Sequence, residues 1–236
     1  MPLENNKVLV TGASSGLGKF LADNLPGCFA LTRKNNKIPK INYDLIIHSA
    51  FNTKEKINKY KILQDNIFFT NELCDLKTKK FVYISTIDVY NSEKNEYNII
   101  KELAESIVVN RKDNFLILRC SAMIGSDMRK NNLLKIIQDK NPILSLTKDS
   151  TFNIIRHQQI LKIIIDSYNK DLIDTFDVVS STNITLEEVS KLCNKKCAYG
   201  GYEYITSEID NKKLISNFDY MDIDSLTNIK KFMRIK

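Results

Sequence analysis

A strand, a glycine turn and a helix follow one another at the start of the chain. This order constrains the fold more than any other feature. Lys7 to Thr11 is a short apolar run rich in β-branched residues. Gly12-Ala13-Ser14-Ser15-Gly16-Leu17-Gly18 comes at once after it. Leu17, Phe20, Leu21 and Leu25 then recur at helical spacing until Pro26-Gly27 stops the helix. Glycines let a backbone turn tightly and approach a pyrophosphate. The helix N-terminus aims free N–H groups and a positive dipole end at the same point. Gly18, without a side chain, lets the helix pack close on the sheet. The flanking strand and helix distinguish this pattern from a lone glycine repeat.

The rest of the chain alternates in the same way. Strands are expected at 28–32, 44–50, 80–85, 115–119 and 176–180. Helices are expected at 54–76, 96–110, 129–140, 157–168 and from about 224 to 233. Thr185-Leu186-Glu187-Glu188 fits a capping box. Strands alternating with helices predict an α/β fold: a Rossmann-like, doubly wound parallel sheet covered on both faces. About a dozen residues separate the second strand from the one at Asp44, which is too few for a full crossover helix. The usual third strand and its helix are therefore expected to be shortened or lost. Residues 1–120, completed by 157–180, are expected to form the cofactor domain. Residues 121–156 and 181–236 are expected to form a small C-terminal region capping the substrate.

Composition limits the alternatives. A chain of 236 residues with 43% hydrophobic and 27% charged residues suits a globular protein with a sizeable core. No apolar stretch approaches the ~20 residues of a membrane helix, and the N-terminus lacks the layout of a signal peptide. A cytoplasmic protein without membrane contact is expected. Five scattered cysteines and two histidines offer no second ligand pair, so no metal site is expected. The net charge of +7 is spread along the chain rather than gathered on one helix, which argues against a nucleic-acid partner.

The sharpest catalytic signal is Tyr97 and Lys101, four apart on one helical face. A phenol has an ordinary pKa near ~10, and a neighbouring ammonium is expected to lower it, giving a workable acid or base. Just upstream, Ser85 and Thr86 end a strand at the carboxyl edge of the sheet, where open α/β folds bind ligands. A hydroxyl there can hold a carbonyl oxygen against Tyr97.

The segments Thr11-Gly12 to Gly18, Ile47-His48-Ser49-Ala50, Asp65-Asn66, Ile84 to Tyr90 and Tyr97-x-x-x-Lys101 resemble the short-chain dehydrogenase/reductase superfamily. They are most similar to its extended branch, the NAD(P)-dependent sugar epimerase/dehydratase/reductase family. The resemblance implies that Tyr97 gives or takes the proton, that Lys101 binds the nicotinamide ribose, and that Thr86 holds the reacting oxygen. It also implies that Ser85 lines the nicotinamide pocket and Ala50 the cofactor groove. Gly12, Ser14, Ser15, Gly16, Leu17 and Gly18 would cradle the pyrophosphate. A homodimer through the helices at 54–76 and 96–110 is implied as well.

Four departures from the family pattern stand out. Ser15 replaces a glycine usual in extended members, and Ile87-Asp88 replaces the Asp-Glu pair of sugar dehydratases. Ala122 stands at the family's substrate asparagine and Phe152 at its diphosphate-clamping arginine. The last two weaken a nucleotide-sugar assignment and leave Arg119, Arg129, Lys130 and Arg156 as candidate anion contacts.

Cofactor choice follows from charge. The second strand ends in Thr32-Arg33-Lys34, with no carboxylate for a ribose 2′-hydroxyl and an arginine able to grip a phosphate. NADP(H) is expected over NAD(H), though NAD(H) is possible. The leading expectation is an NADPH-dependent reductase of a carbonyl on a sugar or sugar derivative, a sugar phosphate or nucleotide-linked sugar. The alternatives are an epimerase with a tightly held cofactor and, from another class, a non-catalytic NADP-sensing regulator.

Overall fold

The computed structural model describes residues 7–52 and 58–234. Along the chain, β1 (Val8–Thr11), α1 (Gly16–Asn24), β2 (Phe29–Leu31) and β3 (Tyr43–His48) come first. α2 (Lys59–Leu63) runs through a π-helical turn (Gln64–Phe68) into α3 (Phe69–Asp75), followed by β4 (Thr78–Thr86), α4 (Glu96–Arg111) and β5 (Phe115–Cys120). These five strands and β9 form one parallel sheet in the order β2-β1-β3-β4-β5-β9, where β9 spans Asp174–Val178. No helix joins β2 to β3 among the described residues, as the short spacing predicts.

Successive residues of each strand feed opposite faces. Val8, Val10, Val82, Ile84, Leu116 and Leu118 face one core, shared with Leu17, Phe20 and Leu21 of α1. Leu9, Phe81, Tyr83 and Ile117 face the other, under Leu73 of α3 and Ile100, Ala104 and Val108 of α4. Near-continuous apolar strands are what two covered faces require. The expected helix at 54–76 differs in detail. Residues 54–57 lie outside the described residues, and the helix is broken in register by the π-turn.

The later chain adds β6 (Ala122–Ile124), α5 (Asn132–Gln138), β7 (Thr151–Phe152), β8 (Ile154–Arg156), α6 (His157–Asn169), β10 (Ile184–Thr185), α7 (Leu186–Leu192), α8 (Lys212–Asn217) and α9 (Ser225–Arg234). β6 pairs parallel with β8, and β7 antiparallel with β10. A third core joins Ile124, Leu134, Ile154, Leu186, Val189 and Ile229. The capping box is present: Thr185 Oγ1 accepts from the Glu188 amide at 3.1 Å, and Glu188 accepts from the Thr185 amide at 2.8 Å. Leu214, Phe218 and Met221 return to the first core rather than the third.

Among the described residues no helix is long and apolar enough to cross a membrane, and no group of His, Cys, Asp or Glu could hold a metal.

Candidate active site

The chain crosses from one side of β1 to the other between β2 and β3, so loops diverge there at the carboxyl ends of the strands and leave a crevice. The glycine turn lies in that crevice. Gly12 has φ +71°, and a Cβ on it would meet the Ala50 backbone at 2.9 Å. A Cβ on Gly18 would meet Ser49 Oγ at 2.6 Å. Glycine is required at both positions by close approach. Ser15 begins α1 without a side-chain cap, so the first-turn amides of that helix are left for another acceptor. One of them is engaged: the Gly16 amide donates to the Asp127 carbonyl at 2.8 Å. Ser14 is exposed on the turn, and Leu17 and Gly18 are buried.

A buried hydrogen-bond chain fixes the far wall of the crevice. The Thr70 hydroxyl donates to the Asn66 carbonyl inside the π-turn. Its one proton is then used, so it accepts from His48 Nε2 at 2.9 Å. His48 Nδ1 therefore accepts from Thr11 Oγ1 at 2.8 Å. Thr11 Oγ1 in turn accepts from the Ser49 and Ala50 amides, at 3.2 and 3.1 Å. Complete burial pushes His48 down to about 3, in keeping with a neutral ring. The Asn66 side chain also bonds the Asn52 backbone in both directions, at 2.8 and 3.1 Å. Sequence periodicity gives no sign of this network, because a π-turn has no pattern of its own.

At the end of β4, Ser85 and Thr86 meet Tyr97 from the first turn of α4. All three line a cleft of about 230 Å³ with Asp88, Ser121 and Tyr204. Thr86 Oγ1 accepts from the Asp88 amide at 3.2 Å and lies beside the Tyr97 phenol, whose pKa it lowers. The Ser85 and Ser121 hydroxyls are buried and without partners.

Lys101 lies deeper than its spacing suggests. Its ammonium donates to the Ile84 carbonyl at 2.8 Å and lies 4.5 Å from the centre of the Phe51 ring and 4.9 Å from that of Tyr83. Phe51 also meets the Tyr97 ring edge-to-face at 5.0 Å. The electrostatics correct the expectation of a lowered phenol. Burial pushes Tyr97 up to about 12, against the lowering effect of Thr86, and pushes Lys101 down to about 8. Desolvation of the charged form is the largest cause of both shifts.

The other candidates lie apart from this cleft. Arg33 is exposed just after β2, where its charge reaches Asp65, and Thr32 closes a turn by donating its amide to the Asn35 carbonyl at 2.9 Å. Three of the four expected anion contacts are committed elsewhere. Arg119 is held by Glu105 at 2.7 Å, Lys130 pairs with Asp139 at 2.8 Å, and Arg156 donates to Asn228 at 3.1 Å. Arg129 is exposed. Tyr204 and Thr206 enter the cleft from an irregular segment that has no sequence signature.

The sheet order, the glycine turn and the helix behind it make a Rossmann-like fold, a doubly wound parallel sheet, as the sequence predicts. Among solved structures the chain is similar to UDP-glucuronic acid 4-epimerase from Bacillus cereus in complex with UDP-glucuronic acid and NAD. That likeness has a TM-score of 0.73 and 17% identity over 97% of this chain and 99% of that one. RMD from Pseudomonas aeruginosa, complexed with NADPH, gives 0.73 and 16% over 97% of each chain. dTDP-4-dehydrorhamnose reductase from Yersinia enterocolitica gives 0.72 and 18% over 98% and 99%. At these identities the likeness is one of fold. No protein-family model and no curated protein matches the sequence.

Proposed function

We propose that the protein is an NADPH-dependent reductase acting on a carbonyl of a sugar or sugar derivative. The observation that carries this reading is the convergence of Tyr97, Thr86 and an unpartnered Ser85 hydroxyl on one cleft, beside a glycine turn packed tightly against the Ala50 backbone at the start of α1. The crevice fits a dinucleotide. The first turn of α1 offers amides to a pyrophosphate, Ala50 and Gly12 form a wall without side-chain bulk, and Arg33 offers a cation to a ribose 2′-phosphate. A bound nicotinamide would supply the hydride. Lys101 would hold the ribose and Thr86 would orient the substrate oxygen. Tyr97, neutral at physiological pH because burial holds its pKa near about 12, would keep its proton until that oxygen takes it.

The same groups also suit an epimerase, the activity named for the Bacillus cereus neighbour. Absorbance at 340 nm separates the two: a reductase consumes NADPH with a carbonyl substrate, whereas an epimerase retains nicotinamide through purification without net change. Tyr97→Phe is expected to lower kcat/KM by about 10²- to 10⁴-fold while NADPH still binds. Undiminished turnover in that variant overturns the assignment. Paired titrations are expected to show tighter NADPH than NADH, with the preference lost in Arg33→Ala.

A further inference from the structure

The cleft at Tyr97 does not end at the reacting groups. A second chamber of about 280 Å³ adjoins it, and Ala122, Met123, Phe152 and Tyr204 line both. The Phe152 and Tyr204 rings lie 5.0 Å apart, inclined by 30°, and form an aromatic wall common to the two. Leu133, Leu146 and Ile154 complete the apolar lining, and the polar contributors are Asn131 and Asn132. Asn131 is already used as the cap of α5, accepting from the Leu134 amide at 3.0 Å, and Asn132 is bonded to Ser145 at 3.1 Å.

No lysine or arginine lines either chamber among the described residues. This holds in a chain with net charge +7. The ionic side chain at the wall is Asp88, which accepts from the Tyr204 hydroxyl at 3.3 Å. A phosphate or diphosphate seated in the second chamber would meet ring faces and aliphatic side chains, with no charge-assisted donor to offset its desolvation and the Asp88 carboxylate in the adjoining cleft. An apolar or aromatic group would bury its surface against Phe152, Leu133 and Leu146 with no charge to satisfy.

We propose that the substrate bears, beyond its reacting carbonyl, an uncharged and largely apolar or aromatic group that occupies this second chamber, so that substrates carrying phosphate there are disfavoured. This deepens the reductase reading and rests on it for the placement of the carbonyl.

The test is calorimetric titration of the NADPH-loaded protein with two probes, 4-nitrophenyl β-glucoside and UDP. The neutral aryl glycoside is expected to bind at least about tenfold more tightly. Phe152→Arg, which puts a cation on the shared wall, is expected to raise UDP affinity about ten- to hundredfold and weaken the glycoside. Tighter binding of UDP by the natural chain, or no binding of the glycoside, overturns the proposal whether or not the variant folds. Without NADPH, UDP could seat its diphosphate at the glycine turn, so there the glycoside alone is titrated, against the natural chain and Phe152→Arg, to read the chamber. Failure of NADPH to bind thus counts against the reductase reading, while glycoside binding that is not weakened by Phe152→Arg counts against this one.

Discussion

At the scale of single residues, the site is organised by burial more than by charge pairing. Lys101 is 4% exposed and held near about 8, against an ordinary 10.5. Its folded-state pKa is depressed, so the ammonium opposes folding fully below about pH 8. The opposition fades as pH rises towards 10.5, where the unfolded chain also releases the proton. The stability of the natural chain relative to Lys101→Met is therefore expected to climb between pH 8 and 10, by at most about 1.4 kcal/mol per unit. Denaturant melts of both proteins at pH 7, 8, 9 and 10 measure this. A difference that stays flat or falls shows that Lys101 is not desolvated as described. Tyr97, Lys101, Ser85 and Thr86 were legible in the sequence because strand ends and helical spacing are local. The sign of the phenol's shift is not, because it is set by burial under residues of other elements, among them Phe51, whose ring meets Tyr97 at 5.0 Å.

At the scale of elements, the start of α1 shows what local pattern can and cannot give. The strand, the glycine turn and the stop at Pro26 are all in the sequence, and the strand register follows from alternation onto two cores. The π-turn at Gln64–Phe68 shifts hydrogen bonds without changing residue types, so an unbroken helix is what periodicity predicts there. The segment 125–128 is equally silent, yet it lies against the first turn of α1. Asp127 gives its carbonyl to the Gly16 amide, and its carboxylate pairs with Lys19 at 3.1 Å. That carboxylate stands beside the turn proposed to hold a pyrophosphate, where like charge opposes binding and occupies a nearby cation. Asp127→Asn is expected to tighten NADPH about two- to tenfold, with the gain shrinking as salt is raised. Fluorescence titration of NADPH at low and high ionic strength reads this. Weaker binding in the variant means that the carboxylate instead orders the turn.

At the scale of the whole molecule, the two faces of the sheet are treated differently. α1 and α6 bury one face against the first core and leave few large apolar side chains outside. Over the other face, the elements from α2 to α4 bury their inner sides and keep apolar outer ones. Tyr60 is 61% exposed, Phe68 47%, Ile99 51% and Leu103 46%. Tyr60 and Phe68 touch each other with ring centres 6.3 Å apart, and Ile99 and Leu103 lie one helical turn apart on the same side of α4. An apolar surface spread over two neighbouring helices suits contact with the same surface on a second copy about a two-fold axis. We propose a homodimer through this face. Light scattering is expected to give twice the chain mass of 27.2 kDa. Leu103→Glu, which places a like charge opposite itself across the axis, is expected to give folded monomers that still bind NADPH, because the crevice lies at the strand ends. A monomeric natural chain, or a Leu103→Glu protein that remains dimeric, rules out this face as the interface.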